Sequence, residues 1–231
     1  MGTASLILCA TPNHAHEVQC AYPNAKVIVT PVMVDPPGED QPRARWTGQG
    51  PFRLVFVANL VRGKNPQLFC DVVAELRRRG ADVSGTLIGD GSERAAIEAQ
   101  IAASGLTECI SLLGQLANAE VFGHLRASHL LLSASVGEPY GRGIAEAMAV
   151  GTPAVCHRSG GPAEFVTHEK DGLLVGEMNV AAYANAILQV MASDKRWELL
   201  AEGAIQTAAA WKSEVVLKTI DGALSELCEL L

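Results

Sequence analysis

The chain has 231 residues, 48% of them hydrophobic, which suits one large domain or one domain with part of a second around a buried core. A formal net charge of -7 excludes a broad nucleic-acid footprint or an anionic-membrane surface, because either needs a basic excess. Six cysteines (Cys9, Cys20, Cys70, Cys109, Cys156 and Cys228) form no C-x-x-C pair and lie mostly in apolar runs, so they read as reduced core thiols in a cytoplasmic protein.

In chain order, Ser5 to Ala10 and Lys26 to Thr30 have strand composition, and H-A-H-E-V-Q-C-A between them is a short helix or an irregular crossover. The opening T-A-S-L-I-L-C-A lacks a basic flank and is too short to span a membrane, so it is not read as a signal peptide. From Pro31 to Pro51 the sequence is rich in proline and glycine and has no periodicity, which predicts a linker or extended loop with a domain boundary near Gly50.

From Phe52 the pattern becomes regular. F-R-L-V-F-V-A, S-G-T-L-I-G, C-I-S-L-L-G, H-L-L-L-S-A and P-A-V-C-H read as strands, with L-L-V near Leu173 as a short further one. Helical patterns alternate with them, and right-handed crossovers turn such a series into a Rossmann-like parallel sheet with helices on both faces. Arg77 to Arg79 read as the solvated last turn of one of these helices, where cations suit the dipole. Val180 to Ala192, Lys195 to Ala209 and Ser213 to Leu231 read as extra C-terminal helices.

The run from Ser135 to Glu164 (S-V-G-E-P-Y-G-R-G-I-A-E-A-M-A-V-G-T-P-A-V-C-H-R-S-G-G-P-A-E) follows a buried strand and enters an Ala/Met-rich helix that Gly151 and Pro153 stop. Gly141 and Gly143 let the backbone come close to a ligand, and the helix N-terminus beyond them aims free N–H groups at an anion such as a diphosphate. Glu138 in the loop and Glu146 in the helix bracket that position. Carboxylates repel phosphate, so their useful partners are the hydroxyls of a ribose and a sugar ring, both of which a sugar nucleotide presents. Taken singly, each reads more readily as a turn or helix surface glutamate; the constellation as a whole is what points to a ligand.

Glu138 and Glu146, seven residues apart, together with S-G-G-P-A-E-F-V and D-G-L-L-V, resemble the E-x7-E signature of the retaining GT-B glycosyltransferases called family 4 or group 1. The resemblance runs from about Phe52 to the C-terminus and implies a donor-binding half of a GT-B fold. It divides the chain into the end of an N-terminal domain (1–35), a linker (36–51) and a nucleotide-sugar donor domain with C-terminal helices (52–231). Most of the acceptor-holding N-terminal domain is then not in this sequence, and a further domain or partner chain is expected to supply it. The apolar face Val216, Ile220, Leu224 and Leu227 of the last helix needs a covering surface, which a second copy in a homo-oligomer would offer.

The resemblance also implies roles. Glu146 holds the ribose, Glu138 orients the sugar, and Lys64 and Arg142 stabilise charge on the leaving diphosphate. The donor is a UDP-, GDP- or ADP-sugar, the acceptor a sugar or lipid-linked hydroxyl, and no metal or other cofactor is obligatory. The six histidines have no ligand spacing either.

Two positions depart from the family pattern. Asn59 stands where an arginine is usual, with Arg62 and Arg142 as replacements, and Asn65 stands where a glycine follows the lysine. Gly89 and Gly91 in I-G-D-G-S-E-R, and Gly160 and Gly161 before Glu164, resemble family turns that line the donor cleft; a plain strand-to-helix turn capped by Ser92 explains the first pair almost as well. No G-x-S-x-G, Walker loop or H-E-x-x-H occurs, and Glu146 occupies the third place of a would-be G-x-G-x-x-G. A sugar-nucleotide 2-epimerase and a non-catalytic nucleotide-binding module are the rival readings.

Overall fold

The computed structural model describes residues 6–38 and 41–229. Ser5 of the first expected strand and Leu230 and Leu231 of the last expected helix lie outside the described residues, as do Glu39 and Asp40 in the linker. The chain divides into two compact units, one formed by the residues up to Asp35 and from Ala208 on, the other by Pro36–Thr207.

In the first unit β1 (Leu6–Cys9) and β2 (Lys26–Val29) pair in parallel, Leu6 against Lys26 through Cys9 against Val29. The segment between them is a helix, α1 (Pro12–Ala21), started by Thr11, whose side chain accepts from the His14 backbone N–H. The last helix, α9 (Ser213–Glu229), packs against β1 and buries Val216 and Ala223. Ile220 and Leu227 are half-buried on the same side, whereas Leu224 is 44% exposed. The apolar face therefore turns on Ala223, one position before Leu224, and its own chain covers part of it.

The second unit carries a six-stranded parallel sheet in the order β5-β4-β3-β6-β7-β8. Its strands are β3 (Phe52–Val57), β4 (Val83–Ile88), β5 (Ile110–Leu112), β6 (Leu130–Ser133), β7 (Ala154–His157) and β8 (Gly172–Val175). Three helices connect the first half: α2 (Pro66–Arg78), α3 (Arg94–Ala103) and α4 (Asn118–Ala127). The rest are α5 (Arg142–Ala149), the single turn α6 (Pro162–Phe165), α7 (Val180–Met191) and α8 (Asp194–Ala208). The Rossmann-like architecture and the extra C-terminal helices expected from the sequence are both present.

The chain builds outward from β3 in one direction through β4 and β5, then returns to β6 and continues the other way. Since crossovers between parallel strands are right-handed, that reversal puts α2, α3 and α7 in one layer and α4 and α5 in another. It also opens a crevice between β3 and β6 at their carboxyl ends.

Local chemistry explains the elements. Pro66 opens α2 at a position where its missing N–H costs nothing, and Leu68, Phe69, Val72, Val73 and Leu76 form the buried stripe. Phe69 lies against β4 because Gly85 leaves room: a Cβ there would sit 2.8 Å from the ring. In the last turn Glu75 pairs with Arg78 at 2.6 Å and Arg79 at 2.7 Å. The pairing holds the Glu75 carboxyl at about 2, below the usual carboxylate range.

The described residues of the linker form no helix or strand, yet they are not loose. Trp46 is buried, donates its indole N–H to the Met191 carbonyl at 3.0 Å, and meets Phe52 edge to face with ring centroids 5.0 Å apart. Among the described residues no helix is long and apolar enough to cross a membrane.

Candidate functional site: a polar cavity at the carboxyl edge of the sheet

Each candidate side chain owes its place to a turn at the carboxyl end of β3 or β6. After β3 the chain passes Asn59 and makes a 3-10 turn over Arg62–Lys64. Asn65 follows in the left-handed region, at φ 48° and ψ 52°. Apart from glycine, asparagine tolerates that conformation best, which accounts for the departure from glycine at this position. The turn is tied to the loop after β6 by the Val136 N–H, which donates to the Gly63 carbonyl at 3.3 Å. That bond brings Lys64 beside Glu138.

Gly141, at φ 97°, is the left-handed residue that starts α5. Behind it α5 buries Ile144, Ala145, Ala147 and Met148, and this packing fixes the direction in which its N-terminus points. Gly143 lets the first turn of α5 sit against β3, since a Cβ there would be 3.0 Å from the Val57 carbonyl oxygen.

The crevice is a cavity of about 560 Å³. Seven of the residues singled out in the sequence line it: Asn59, Lys64, Glu138, Gly141, Arg142, Gly143 and Glu146. They come from two separate stretches of chain, so the fold assembles what the sequence holds apart.

The four charged members form two ion pairs. Lys64 pairs with Glu138. Arg142 donates from Nε to Glu146 Oε1 at 2.9 Å, one helical turn apart on α5. Both carboxylates are well covered, with side chains 16% and 10% exposed, whereas the Arg142 side chain is 69% exposed. Glu138 Oε1 also accepts the Gly141 N–H at 3.2 Å.

Gly89, Gly91, Gly160 and Gly161 are not among the lining residues, and each has a packing reason to be glycine. A Cβ at Gly89 would lie 1.9 Å from the Ala58 carbonyl oxygen, and one at Gly91 2.4 Å from that of Leu60. The turn after β4 is thus pressed onto the loop that carries Asn59. Similarly, Cβ atoms at Gly160 and Gly161 would lie 2.3 Å from the Glu138 carbonyl oxygen and 2.2 Å from that of Pro139. The Gly161 N–H donates to Glu138 O at 2.8 Å, so this turn props the Glu138 loop from behind. Ser92 is not the cap: Glu93 stands at the N-cap of α3, with no side-chain cap bond. Arg62 is exposed and does not line the cavity, which leaves Arg142 as the arginine present there.

Gln115, Asn118, Ser133 and Ser135 also line the cavity and were not singled out in the sequence. Asn118 is the first residue of α4, whose N-terminus therefore reaches the same crevice as that of α5. Their signal was positional: each lies at or just past the carboxyl end of a strand, where ligands of open parallel sheets bind. Among the described residues no group of three or more His, Cys, Asp or Glu could hold a metal ion.

Residues 51–193 match the family model described as glycosyl transferases group 1. The chain belongs to that family. Among curated relatives it is 34% identical over 136 residues to the 2-deoxystreptamine glucosyltransferase of Streptomyces kanamyceticus, covering 59% of this chain and 35% of that protein. It is 28% identical over 236 residues to the D-inositol 3-phosphate glycosyltransferase of Corynebacterium jeikeium, covering 93% of this chain and 56% of that protein. The chain thus spans between about a third and just over half of these relatives. In fold it matches the pneumococcal O-GlcNAc transferase GtfA, solved in complex with UDP and GlcNAc, with a TM-score of 0.79 at 18% identity over 97% of this chain and 45% of that one. The group 1 fold expected from the E-x7-E stretch is therefore borne out.

Proposed function

We propose that this chain binds a nucleotide diphosphate sugar at the carboxyl edge of its six-stranded sheet and takes part in transferring the sugar, with retention, to a hydroxyl acceptor. The observation that carries this reading is the convergence of two cations, two carboxylates and the N-terminus of α5 on one cavity of about 560 Å³.

Cations and helix N–H groups suit a diphosphate, while shielded carboxylates suit hydroxyls. In this assignment Lys64, Arg142 and the first turn of α5 hold the diphosphate and stabilise the charge that builds on it as it leaves. Glu146 takes the ribose and Glu138 the sugar ring. Asn59 contributes a neutral polar contact, and the glycine turns at 89–91 and 160–161 hold the two loops in place.

Transfer proceeds by attack on the face the diphosphate leaves, as in family 4, with no obligatory metal and no protein nucleophile. The reduced state of all six cysteines fits a cytoplasmic setting. The acceptor, a sugar or lipid-linked hydroxyl, needs a second wall to exclude water, and a further domain or a partner chain supplies it.

Calorimetric titration of the chain with UDP, GDP, ADP and their sugar conjugates, repeated with Glu146→Ala, tests the donor site. One base is expected to bind saturably, and the variant to bind it at least about tenfold more weakly, as loss of a charge-assisted hydrogen bond predicts. Absence of binding by every nucleotide would overturn the reading.

A further inference from the structure

Glu138 occupies an unexpected place for a group meant to meet a sugar hydroxyl. Its two carboxylate oxygens are bonded to the donors best suited to an anion. Oε2 pairs with the Lys64 ammonium, and Oε1 accepts the N–H of Gly141, the residue that starts α5. The backbone beneath is fixed from the other side by the Gly161 N–H on the Glu138 carbonyl. The carboxylate, 16% exposed, is therefore held against a cation and a helix start on a loop tied down by backbone bonding.

We propose that the Glu138 carboxylate is an internal stand-in for the donor diphosphate, and that the diphosphate displaces it before Glu138 can receive the sugar. This rests on the donor-site reading above. A phosphate oxygen seeking Lys64 and the start of α5 meets a like charge already seated there, and the two anions cannot share those donors.

When the phosphate takes Lys64, the Glu138 oxygens lose their cation and become acceptors without a partner, which is what a sugar hydroxyl needs. Charge balances in the exchange: one pair breaks, one forms, and no proton moves. Sugar capture thus follows diphosphate capture, and a free sugar finds Glu138 already engaged. The other carboxylate differs. Glu146 is bonded to Arg142, a side chain 69% exposed to solvent, one turn along its own helix, and no hydrogen bond ties it to the backbone at the start of α5.

The consequence runs against intuition for a residue placed in catalysis: removing the carboxylate should tighten diphosphate binding. Inorganic pyrophosphate, which has no ribose to engage Glu146, and UDP, GDP and ADP are titrated into the wild-type chain, Glu138→Gln, Glu138→Ala and Glu146→Gln. Retained melting temperature shows that each variant folds.

Both Glu138 variants are expected to bind the diphosphates about tenfold more tightly than wild type, the lower range of a charge-assisted hydrogen bond, while Glu146→Gln shifts pyrophosphate affinity by less than about threefold. Equal tightening in Glu146→Gln would show a general loss of negative field and overturn the stand-in. So would binding by wild type with no gain in the Glu138 variants. If no diphosphate binds any of the four proteins, the donor-site reading itself fails, and the stand-in with it.

Discussion

At the carboxyl ends of β3 and β6 the chain turns through glycines and left-handed residues and presents paired charges to a cavity. At the amino ends of the same two strands it presents rings. Phe52, the first residue of β3, and His129, just before β6, have centroids 5.1 Å apart. Trp46 and Trp197 close on His129 edge-on, at 5.3 and 6.1 Å. Trp197 donates to the His129 carbonyl at 2.7 Å, and the Arg53 backbone N–H donates to His129 Nδ1 at 3.0 Å. One end is anchored by buried aromatic area; the other is held by backbone contacts and left polar. The aromatic anchor and the candidate ligand site are thus separated by the length of two strands, and substitutions at the two ends should fail in different ways.

The largest effect separates them outright. Trp197→Ala removes a side chain 1% exposed, together with its hydrogen bond, and should destabilise the fold by about 3 to 5 kcal/mol. Denaturant unfolding of this variant beside Glu146→Ala is the check. The aromatic variant should lose most of its stability, while the cleft variant should unfold within about 1 kcal/mol of wild type, as removing a pair with an exposed partner usually does. A reversal of the two would remove the division of labour.

His129 gives the aromatic end a pH dependence. Burial, and then the neighbouring Arg53 charge, push its pKa down to about 4 from the ordinary 6.5, although a backbone hydrogen bond at Arg45 works the other way. In the unfolded chain the imidazole gains a proton near 6.5, while in the folded chain it stays neutral until about 4. The unfolded state therefore binds more protons between those values, and stability falls as the pH falls through that window. By pH 5 the loss is about 2 kcal/mol, at about 1.4 kcal/mol per pH unit. Melting temperatures of wild type and His129→Gln across pH 4.5 to 7 should show a slope for the first that is reduced in the second, about 1.5 pH units being enough to resolve it.

The same contrast explains which parts were legible in the sequence. The alternation of apolar runs and amphipathic segments from Phe52 onward is a local signal with two periods, and it located all six strands of the sheet. The cleft was legible where several residue types clustered, as in Glu138, Gly141, Gly143 and Glu146, and where a lysine followed a strand. Gln115, Asn118 and Ser133 are neutral and belong to no motif; they follow or end strands, and only the strand order, a long-range property, tells which strand ends meet at the cavity. Conversely, glycines 89, 91, 160 and 161 carried a strong local signal with two physical causes. A ligand and a neighbouring carbonyl both exclude Cβ, and sequence alone does not distinguish them. Trp46 was hidden for the opposite reason: it sits in a stretch without periodicity, yet a single ring reaching the core needs no period.

The smallest effect probes a departure from the family pattern at the cleft end. Asn65 follows Lys64 with φ 48° and ψ 52°, so its backbone, rather than a side-chain contact, sets the choice of residue. Asn65→Ala should cost about 1 kcal/mol, the lower range for holding a β-carbon in the left-handed region. Asn65→Gly should relieve that strain but release more chain entropy on unfolding, so the two terms nearly cancel. Thermal unfolding of the pair separates backbone from side chain: equal losses in Ala and Gly would mean that the Asn65 amide matters by a contact of its own. A loss confined to Ala would mean that this position is a conformational requirement of the turn that carries Lys64 to Glu138.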